Sequence, residues 1–150
     1  MNRFDEIKIG DKASFTKTIS ETDLYLFCGI SGDFNPLHID KMYASKSLFK
    51  GRIVHGMLVA SFISNVLGMK LPGPGTIYIS QNLKFIAPVY VGDTITAYVE
   101  VLEKIYEKHH IILRTCCLNQ RDQLVIDGTA KVLFDPDNTL NKWLTGDKTW

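Results

Sequence analysis

The longest apolar segment of the chain is HGMLVASFISNVLGM, residues 55–69, and it limits the folds that the sequence can adopt. Its apolar members are Met57, Leu58, Val59, Ala60, Phe62, Ile63, Val66 and Leu67. A helix with apolar side chains on nearly every side is buried on most of its surface, so other elements must wrap around it. Because a membrane span needs about 18 or more apolar residues, the segment predicts a core helix instead.

The second half of the sequence has the composition of strands. Residues 76–87, 94–105, 109–119 and 124–134 are rich in β-branched and aromatic side chains, and short turn-like sequences separate them. They predict four consecutive strands joined by short turns, and therefore an antiparallel sheet. A further strand is predicted over residues 12–20, where apolar and polar side chains alternate.

The first half carries helix signals. Ser20 and Asp23 resemble a capping box, and the glycines of residues 29–32 favour the end of that helix. Asp40 is a suitable N-cap for a short helix in DKMYASKSLF. Helices in the first half and strands in the second predict an α+β fold, with a sheet wrapped on one buried helix. We expect one domain over residues 1–150.

Composition narrows the classes of partner. The formal net charge is only +1, which disfavours recruitment of nucleic acid or an acidic membrane surface. Three cysteines without a framework spacing indicate a reducing compartment, and no Cys/His pattern suggests a metal site. The N-terminus lacks the apolar run of a secretory signal, so we expect a soluble, cytoplasmic protein.

The C-terminal tail, with Trp143 and Leu144, is expected either to pack on the domain or to fray.

The segment ISGDFNPLHID brings together three polar side chains, Asp33, Asn35 and His38. Pro36 does not fit a helix interior, and it biases Asn35 towards an extended conformation. We therefore expect Asp33 and His38 to lie on a loop between two helices. Taken alone, these residue types are most often those of a structural turn.

The alternative interpretation is a catalytic pair. A carboxylate and an imidazole that converge on one water molecule can remove a proton from it and deliver a proton elsewhere. His55 and Gly56 open the apolar helix, and a helix N-terminus presents unpaired N–H groups that can stabilise an oxyanion. Close packing against a strand is the structural alternative for Gly56.

The sequence resembles a known family over roughly Phe15 to Phe134. FCGISGDFNPLHID, followed by GRIVHGMLVAS, resembles the MaoC-like, hydratase-2 family of (R)-specific enoyl-CoA hydratases. The spacing D-x-N-P-x-H is the signature of that family, and LKFIAPVYVGDTI is similar to its strand-turn-strand segment. The two motifs in this order and at this separation are far more specific than either one alone.

The resemblance implies a hot-dog fold, in which a curved antiparallel sheet wraps a long central helix. It also implies a homodimer with sheets joined edge to edge and the thioester near the subunit interface. By the same resemblance, Asp33 and His38 hold the catalytic water, Asn35 supports their loop, and the Gly56 N–H binds the thioester oxygen. Ser64 corresponds to a position in the active-site region of relatives.

The activity implied is reversible addition of water to a trans-2-enoyl thioester, in fatty acid metabolism, without a metal or redox cofactor. A hot-dog acyl-CoA thioesterase and a non-catalytic subunit that binds acyl thioesters are the alternatives. The resemblance fits both coenzyme A and acyl carrier protein as carriers. We expect the acyl pocket to include central-helix side chains such as Met57, Leu58, Phe62 and Ile63.

Overall fold

The computed structural model describes residues 4–136, so Trp143 and Leu144 lie outside the described residues. The described part contains four α-helices and five strands. The helices are α1 (Glu21–Ser31), α2 (Pro36–Ile39), α3 (Lys41–Lys46) and α4 (Gly56–Met69), and the strands are β1 (Lys12–Thr18), β2 (Thr76–Phe85), β3 (Thr94–Ile105), β4 (His110–Leu118) and β5 (Leu124–Phe134).

All five strands form one antiparallel sheet in the order β1-β3-β4-β5-β2. The prediction of an antiparallel sheet is confirmed, but the four strands of the second half are not paired simply in sequence order. Residues 86–93 carry the chain away from β2, and β2 pairs with β5 instead of β3. Val89 accepts a hydrogen bond from the Val54 N–H, and this bond holds the connection beside the segment that leads into α4.

Helix α4 is the central helix predicted from its composition. Its side chains at Val59, Ile63 and Val66 are fully buried, and the helix packs against β1, β2, β3 and β4. The sheet and this helix therefore share one apolar core. The predicted α+β hot-dog fold is confirmed, because one antiparallel sheet packs around the central helix. This packing removes the apolar side chains of the helix from water.

Local signals place the N-termini of α1 and α3 correctly, although α3 ends at Lys46, before the end of the predicted segment at Phe49. The Ser20 hydroxyl accepts from the Asp23 N–H, and the Asp23 carboxylate accepts from the Ser20 N–H, which is the predicted capping box. Helix α1 ends at Gly32, whose φ of 75° is in the left-handed region that glycine adopts easily. Asp40 caps α3 as expected, accepting a hydrogen bond from the Tyr43 N–H.

The expectation that His38 lies on a loop was wrong, because His38 is part of a short helix. Pro36–Ile39 form the single-turn helix α2, and His38 lies within it. Proline is excluded from helix interiors but fits the first helical position, where its missing N–H would have no partner in any case. Asn35 caps this turn through its side-chain oxygen, which accepts from the Leu37 N–H.

Among the described residues, the longest helices fall short of the length and apolarity that a membrane-spanning segment would require.

We predict that Gly128→Ala destabilises the fold. Gly128 lies in β5 opposite Leu83 of β2, and a Cβ atom at this position would lie 1.9 Å from the Asn82 carbonyl oxygen. Because that oxygen belongs to the backbone, β2 must shift, at a cost of about 1–3 kcal/mol of unfolding free energy. Urea unfolding measures this loss.

The matched control is Gly29→Ala, in helix α1. No atom would lie within 4 Å of its new Cβ, and the site is helical, so a gain of about 0.4–1 kcal/mol is expected. Equal unfolding free energies for the two variants would contradict the proposed close approach of β2 to β5.

Candidate active site

Three ionisable side chains from separate parts of the sequence meet at the start of α4. Asp33 Oδ2 lies 3.8 Å from His38 Nε2 and also 3.8 Å from His55 Nε2. The two imidazole rings stack with centroids 3.7 Å apart. His38 and His55 are buried, whereas the Asp33 side chain is half-exposed and open to a ligand.

A series of local hydrogen bonds shapes the loop that carries Asp33. The Asp33 N–H donates to Ser31 Oγ at 3.1 Å, and the Asn35 N–H donates to Asp33 Oδ1 at 3.1 Å. The Leu37 N–H then donates to Asn35 Oδ1 at 3.0 Å. Short polar side chains that bond to the backbone two residues away stabilise such turns. The structure therefore places Asn35 at the end of the loop, where its side chain caps α2.

The tautomer of His38 follows from its surroundings. His38 Nδ1 lies 2.8 Å from the Ile53 carbonyl oxygen, which can only accept, so Nδ1 carries the ring hydrogen. In this tautomer Nε2 has a free lone pair, and it lies 3.8 Å from Asp33 Oδ2. The Ile53 N–H also donates to the Leu37 carbonyl at 3.2 Å, which ties α2 to the segment before α4.

Arg52 anchors the same segment to helix α1. Its guanidinium donates to the Glu21 carboxylate and, at 2.9 Å, to the Tyr25 hydroxyl. Only 9% of the Arg52 side chain is exposed. The hydrogen bond and positive charge of Arg52 lower the pKa of the Glu21 carboxyl. The segment that leads to His55 is thus fixed to α1 by a charged hydrogen bond.

His55 belongs to the site, although sequence reasoning treated it only as the residue that opens the helix. It is the N-cap of α4, and its Nε2 atom lies 3.0 Å from the Asp33 carbonyl oxygen and 3.7 Å from Cys28 Sγ. Burial raises the pKa of the Cys28 thiol, so this neighbour is uncharged. The available sequence signal was a histidine directly before a glycine at the start of a buried helix.

Gly56 occupies the first helical position of α4. Among residues 4–136, no acceptor is found for its N–H, which is therefore available to a ligand. A Cβ atom at Gly56 would lie 2.6 Å from the Phe85 ring, so the ring packs directly against this glycine. Gly56 therefore packs closely against Phe85 and also keeps its backbone N–H free, so the two interpretations are compatible.

Ser64 is not part of this cluster. It lies on the exposed side of α4, eight positions after Gly56, which is roughly 12 Å along the helix axis. Its assignment to the site stays a prediction.

An apolar cavity of about 400 Å³ adjoins Gly56. Among the four helix residues predicted for an acyl pocket, Met57 lines this cavity, whereas Leu58, Phe62 and Ile63 are buried core residues outside its lining. The cavity lining also includes Phe49, Ile53, Val54, Val59, Phe85, Ile86, Ala87, Pro88, Val89, Val125 and Ile126. Asp33 and His38 are not in this lining, so the cavity meets the polar cluster at the start of α4 and does not enclose it.

The cluster also has the residue types of a metal site. One donor atom from each of Asp33, His38 and His55 lies within 4.8 Å of the others. However, the Asp33 carbonyl oxygen can only accept, so His55 Nε2 carries a hydrogen at that 3.0 Å contact and has no free lone pair. The arrangement is better suited to hold a water molecule between Asp33 and His38 than to coordinate a metal ion.

Two (R)-specific enoyl-CoA hydratases are similar to this chain over most of its length. The chain is 52% identical over 133 residues to an (R)-specific enoyl-CoA hydratase of Rhodospirillum rubrum, covering 89% of this chain and 92% of that protein. It is 42% identical to an (R)-specific enoyl-CoA hydratase of Aeromonas caviae, covering 84% and 94%.

Solved structures agree with these sequence relationships. The R-hydratase PhaJ1 of Pseudomonas aeruginosa, in its unliganded form, superposes with a TM-score of 0.83 at 44% identity, covering 87% of this chain and 84% of that one. Residues 6–115 match the family described as the MaoC like domain. The chain therefore belongs to the MaoC-like family.

Proposed function

We propose that the protein is an (R)-specific enoyl-CoA hydratase, which adds water reversibly to trans-2-enoyl-CoA. The observation that carries the proposal is the position of Asp33 Oδ2 and His38 Nε2, 3.8 Å apart beside the N-terminus of α4. The high identity to proteins named as (R)-specific enoyl-CoA hydratases supports it.

The Gly56 N–H is the proposed donor to the thioester oxygen. Attack of water on Cβ moves negative charge onto that oxygen, and a fixed N–H stabilises this charge more in the transition state than in the substrate. The positive end of the α4 dipole acts in the same direction.

His38 and Asp33 have different proposed roles. The water lies between Asp33 Oδ2 and His38 Nε2, and the carboxylate, which can only accept, orients it. Because Nδ1 is committed to the Ile53 carbonyl, the free lone pair of Nε2 takes a proton from the water. The negative charge of Asp33 then stabilises the imidazolium that forms.

The proposed steps balance without a cofactor. The water oxygen forms a bond to Cβ as the electron pair of the double bond moves towards Cα and the thioester oxygen. The proton held on His38 Nε2 is then transferred to Cα, which gives a 3-hydroxyacyl thioester and restores the neutral ring. Dehydration follows the same path in reverse.

The acyl chain is proposed to follow the exposed side of α4, where Ser64 lies, or to enter the cavity that contains Met57. Both paths begin at Gly56. Acyl-CoA is the proposed substrate, and the cytoplasm is the proposed location.

A thioesterase is an alternative function, because one fold can carry different activities. A thioesterase would direct water at the carbonyl carbon instead of Cβ. A non-catalytic subunit that binds acyl thioesters is the second alternative. Incubation with crotonyl-CoA separates the three functions: a hydratase removes the conjugated enoyl absorbance, a thioesterase releases free thiol, and a binding subunit does neither.

We predict that Asp33→Asn and His38→Ala each lower kcat for crotonyl-CoA hydration by about 100- to 10,000-fold. The reason is that each variant removes one of the two groups that hold and deprotonate the water. Absorbance assays that follow the loss of the conjugated enoyl thioester measure kcat, and circular dichroism checks that the fold is retained.

Asp122→Asn is the matched control, because Asp122 lies in the turn after β4 with a φ of 56°, which asparagine also adopts readily. It should hydrate crotonyl-CoA at the wild-type rate. Near wild-type turnover by Asp33→Asn or His38→Ala would refute the assignment of these two side chains.

We predict that hydration of crotonyl-CoA gives (R)-3-hydroxybutyryl-CoA, with oxygen and hydrogen added to the same face. A thioester held at the Gly56 N–H presents one face of Cβ to the water between Asp33 and His38, and the proton returns from the same side. Coupled assays with (R)- and (S)-specific 3-hydroxyacyl-CoA dehydrogenases identify the product. An (S) product would exclude this arrangement even if turnover were fast.

We propose further that the protein is a homodimer joined at β2. In the described part of the chain, β2 pairs on one side only, and the apolar side chains of Ile77, Tyr78 and Phe85 are exposed along it. The opposite edge strand, β1, carries Lys12 and Lys17, and charged side chains of this kind discourage edge pairing.

Light scattering at micromolar concentration should therefore give twice the chain mass of 17.0 kDa. Ile77→Lys should shift the mass towards the monomer, because it places a charge in the proposed interface. Tyr98→Lys, at a similarly exposed site on the inner strand β3, should not. A wild-type mass near 17.0 kDa would rule out the dimer.

A further inference from the structure

We propose that His55 is a positioning residue, whose Nε2–H holds the Asp33 carbonyl and so fixes the Asp33 carboxylate relative to His38 and the Gly56 N–H. This inference rests on the proposed function, because it assigns a role to His55 within the same site.

The contacts of the His55 ring show that Nε2 carries the ring hydrogen. A carbonyl oxygen only accepts, so the 3.0 Å contact between His55 Nε2 and the Asp33 oxygen requires a hydrogen on Nε2. Nδ1 is buried and has no hydrogen-bond partner in residues 4–136. The bond to Asp33 is thus the one bond to oxygen that this ring makes in the described part of the chain.

Packing holds the His55 ring in one place. The ring stacks on His38 with centroids 3.7 Å apart, and the Phe27 ring lies 4.9 Å away on a tilted plane. Only 3% of His55 is exposed. A buried ring with aromatic neighbours has little freedom to change rotamer, so the position of its N–H is well defined.

Asp33 needs such a support. Its side chain is 50% exposed, and its hydrogen bonds with neighbouring residues join it to Ser31, the last residue of α1, and to Asn35 of the loop. Both bonds span only two residues along the chain, so they shape the loop but do not attach it to α4, which carries the proposed oxyanion donor. The bond from His55 connects the Asp33 backbone to the core, at a carbonyl that belongs to the residue proposed to hold the water.

The same residue fixes the proposed oxyanion donor. His55 is the N-cap of α4, and its carbonyl oxygen accepts from the N–H groups of Leu58 at 3.1 Å and Val59 at 3.3 Å. Gly56 follows directly in the chain. His55 therefore connects two parts of the site. Its side chain bonds to the loop that carries Asp33, and its backbone caps the N-terminus of α4. A misplacement of about 1 Å between such groups can lower a rate by about 100-fold.

Three substitutions separate the hydrogen bond from the ring. In His55→Gln, the amide nitrogen is as many bonds from Cα as histidine Nε2, so the donor to Asp33 can be kept without the aromatic ring. In His55→Asn, the amide nitrogen corresponds to Nδ1 and does not reach. His55→Phe keeps the stacked ring and removes the donor.

If the bond positions Asp33, kcat for crotonyl-CoA falls by ~10- to 100-fold in His55→Phe and His55→Asn while KM changes little. His55→Gln recovers most of the lost kcat. A purely structural role of the ring predicts the opposite order, with His55→Phe the most active variant, and that order would overturn the proposal. Thermal unfolding of all three variants accompanies the kinetics, and only variants that are folded at the assay temperature are compared.

A double-mutant cycle tests whether His55 acts through Asp33. If it does, adding His55→Phe to Asp33→Asn lowers kcat by less than twofold beyond the single Asp33→Asn loss. Full additivity of the two losses would contradict the proposal. Wild-type hydration of crotonyl-CoA tests the proposed function separately: an active wild type with additive losses removes only the role of His55, whereas an inactive wild type removes the proposed function itself.

Discussion

Burial of helix α4 is the constraint on which the rest of the structure depends. Its side chains are apolar on nearly all sides, so the five-stranded sheet must curve around it to remove them from water. The first turn has a different requirement, because its N–H groups cannot bond within the helix. The fold satisfies both conditions by covering α4 except on the side that carries Met57, Ser61 and Ser64, and by leaving the Gly56 N–H at the edge of the core, where a ligand can reach it.

The polar cluster at this edge is stable because its buried rings are hydrogen-bonded to backbone carbonyl groups. His38 donates to Ile53, and His55 donates to Asp33. A buried ring nitrogen without a partner costs about 1–3 kcal/mol, and these bonds remove that penalty at His38 Nδ1 and His55 Nε2. They also set the tautomers, so the same contacts that permit burial leave His38 Nε2 free to accept a proton. Stability and the proposed chemistry thus depend on the same two bonds.

The fold also explains why the polar and apolar parts of the site lie side by side. The segment between Arg52 and Gly56 is held to α1 on one side and to Val89 on the other. The Ile53 carbonyl accepts from His38, whereas Ile53 and Val54 also line the apolar cavity. A thioester bound at Gly56 would therefore meet charged groups at one end and an apolar surface at the other, as an acyl thioester requires.

Local sequence determined much of this protein. The capping box at Ser20, the N-cap at Asp40 and the apolar composition of α4 depend on neighbours within a few residues, so they were predictable. The resemblance of D-x-N-P-x-H to a family signature predicted Asp33 and His38 as a pair, and the structure places their side chains 3.8 Å apart. The one-turn helix around His38 was missed, since Pro36 was taken as a helix breaker although it fits a first helical position.

Tertiary structure alone decided the remaining features. The pairing of β2 with β5, the bond from Arg52 to Glu21, the Phe85 ring on Gly56 and the bond from His55 to the Asp33 carbonyl all join residues far apart in the chain. No local periodicity or cap encodes them, because each depends on how the sheet closes around α4. The sequence determined which groups are present and how each segment folds, and the packing of those segments decided which groups meet.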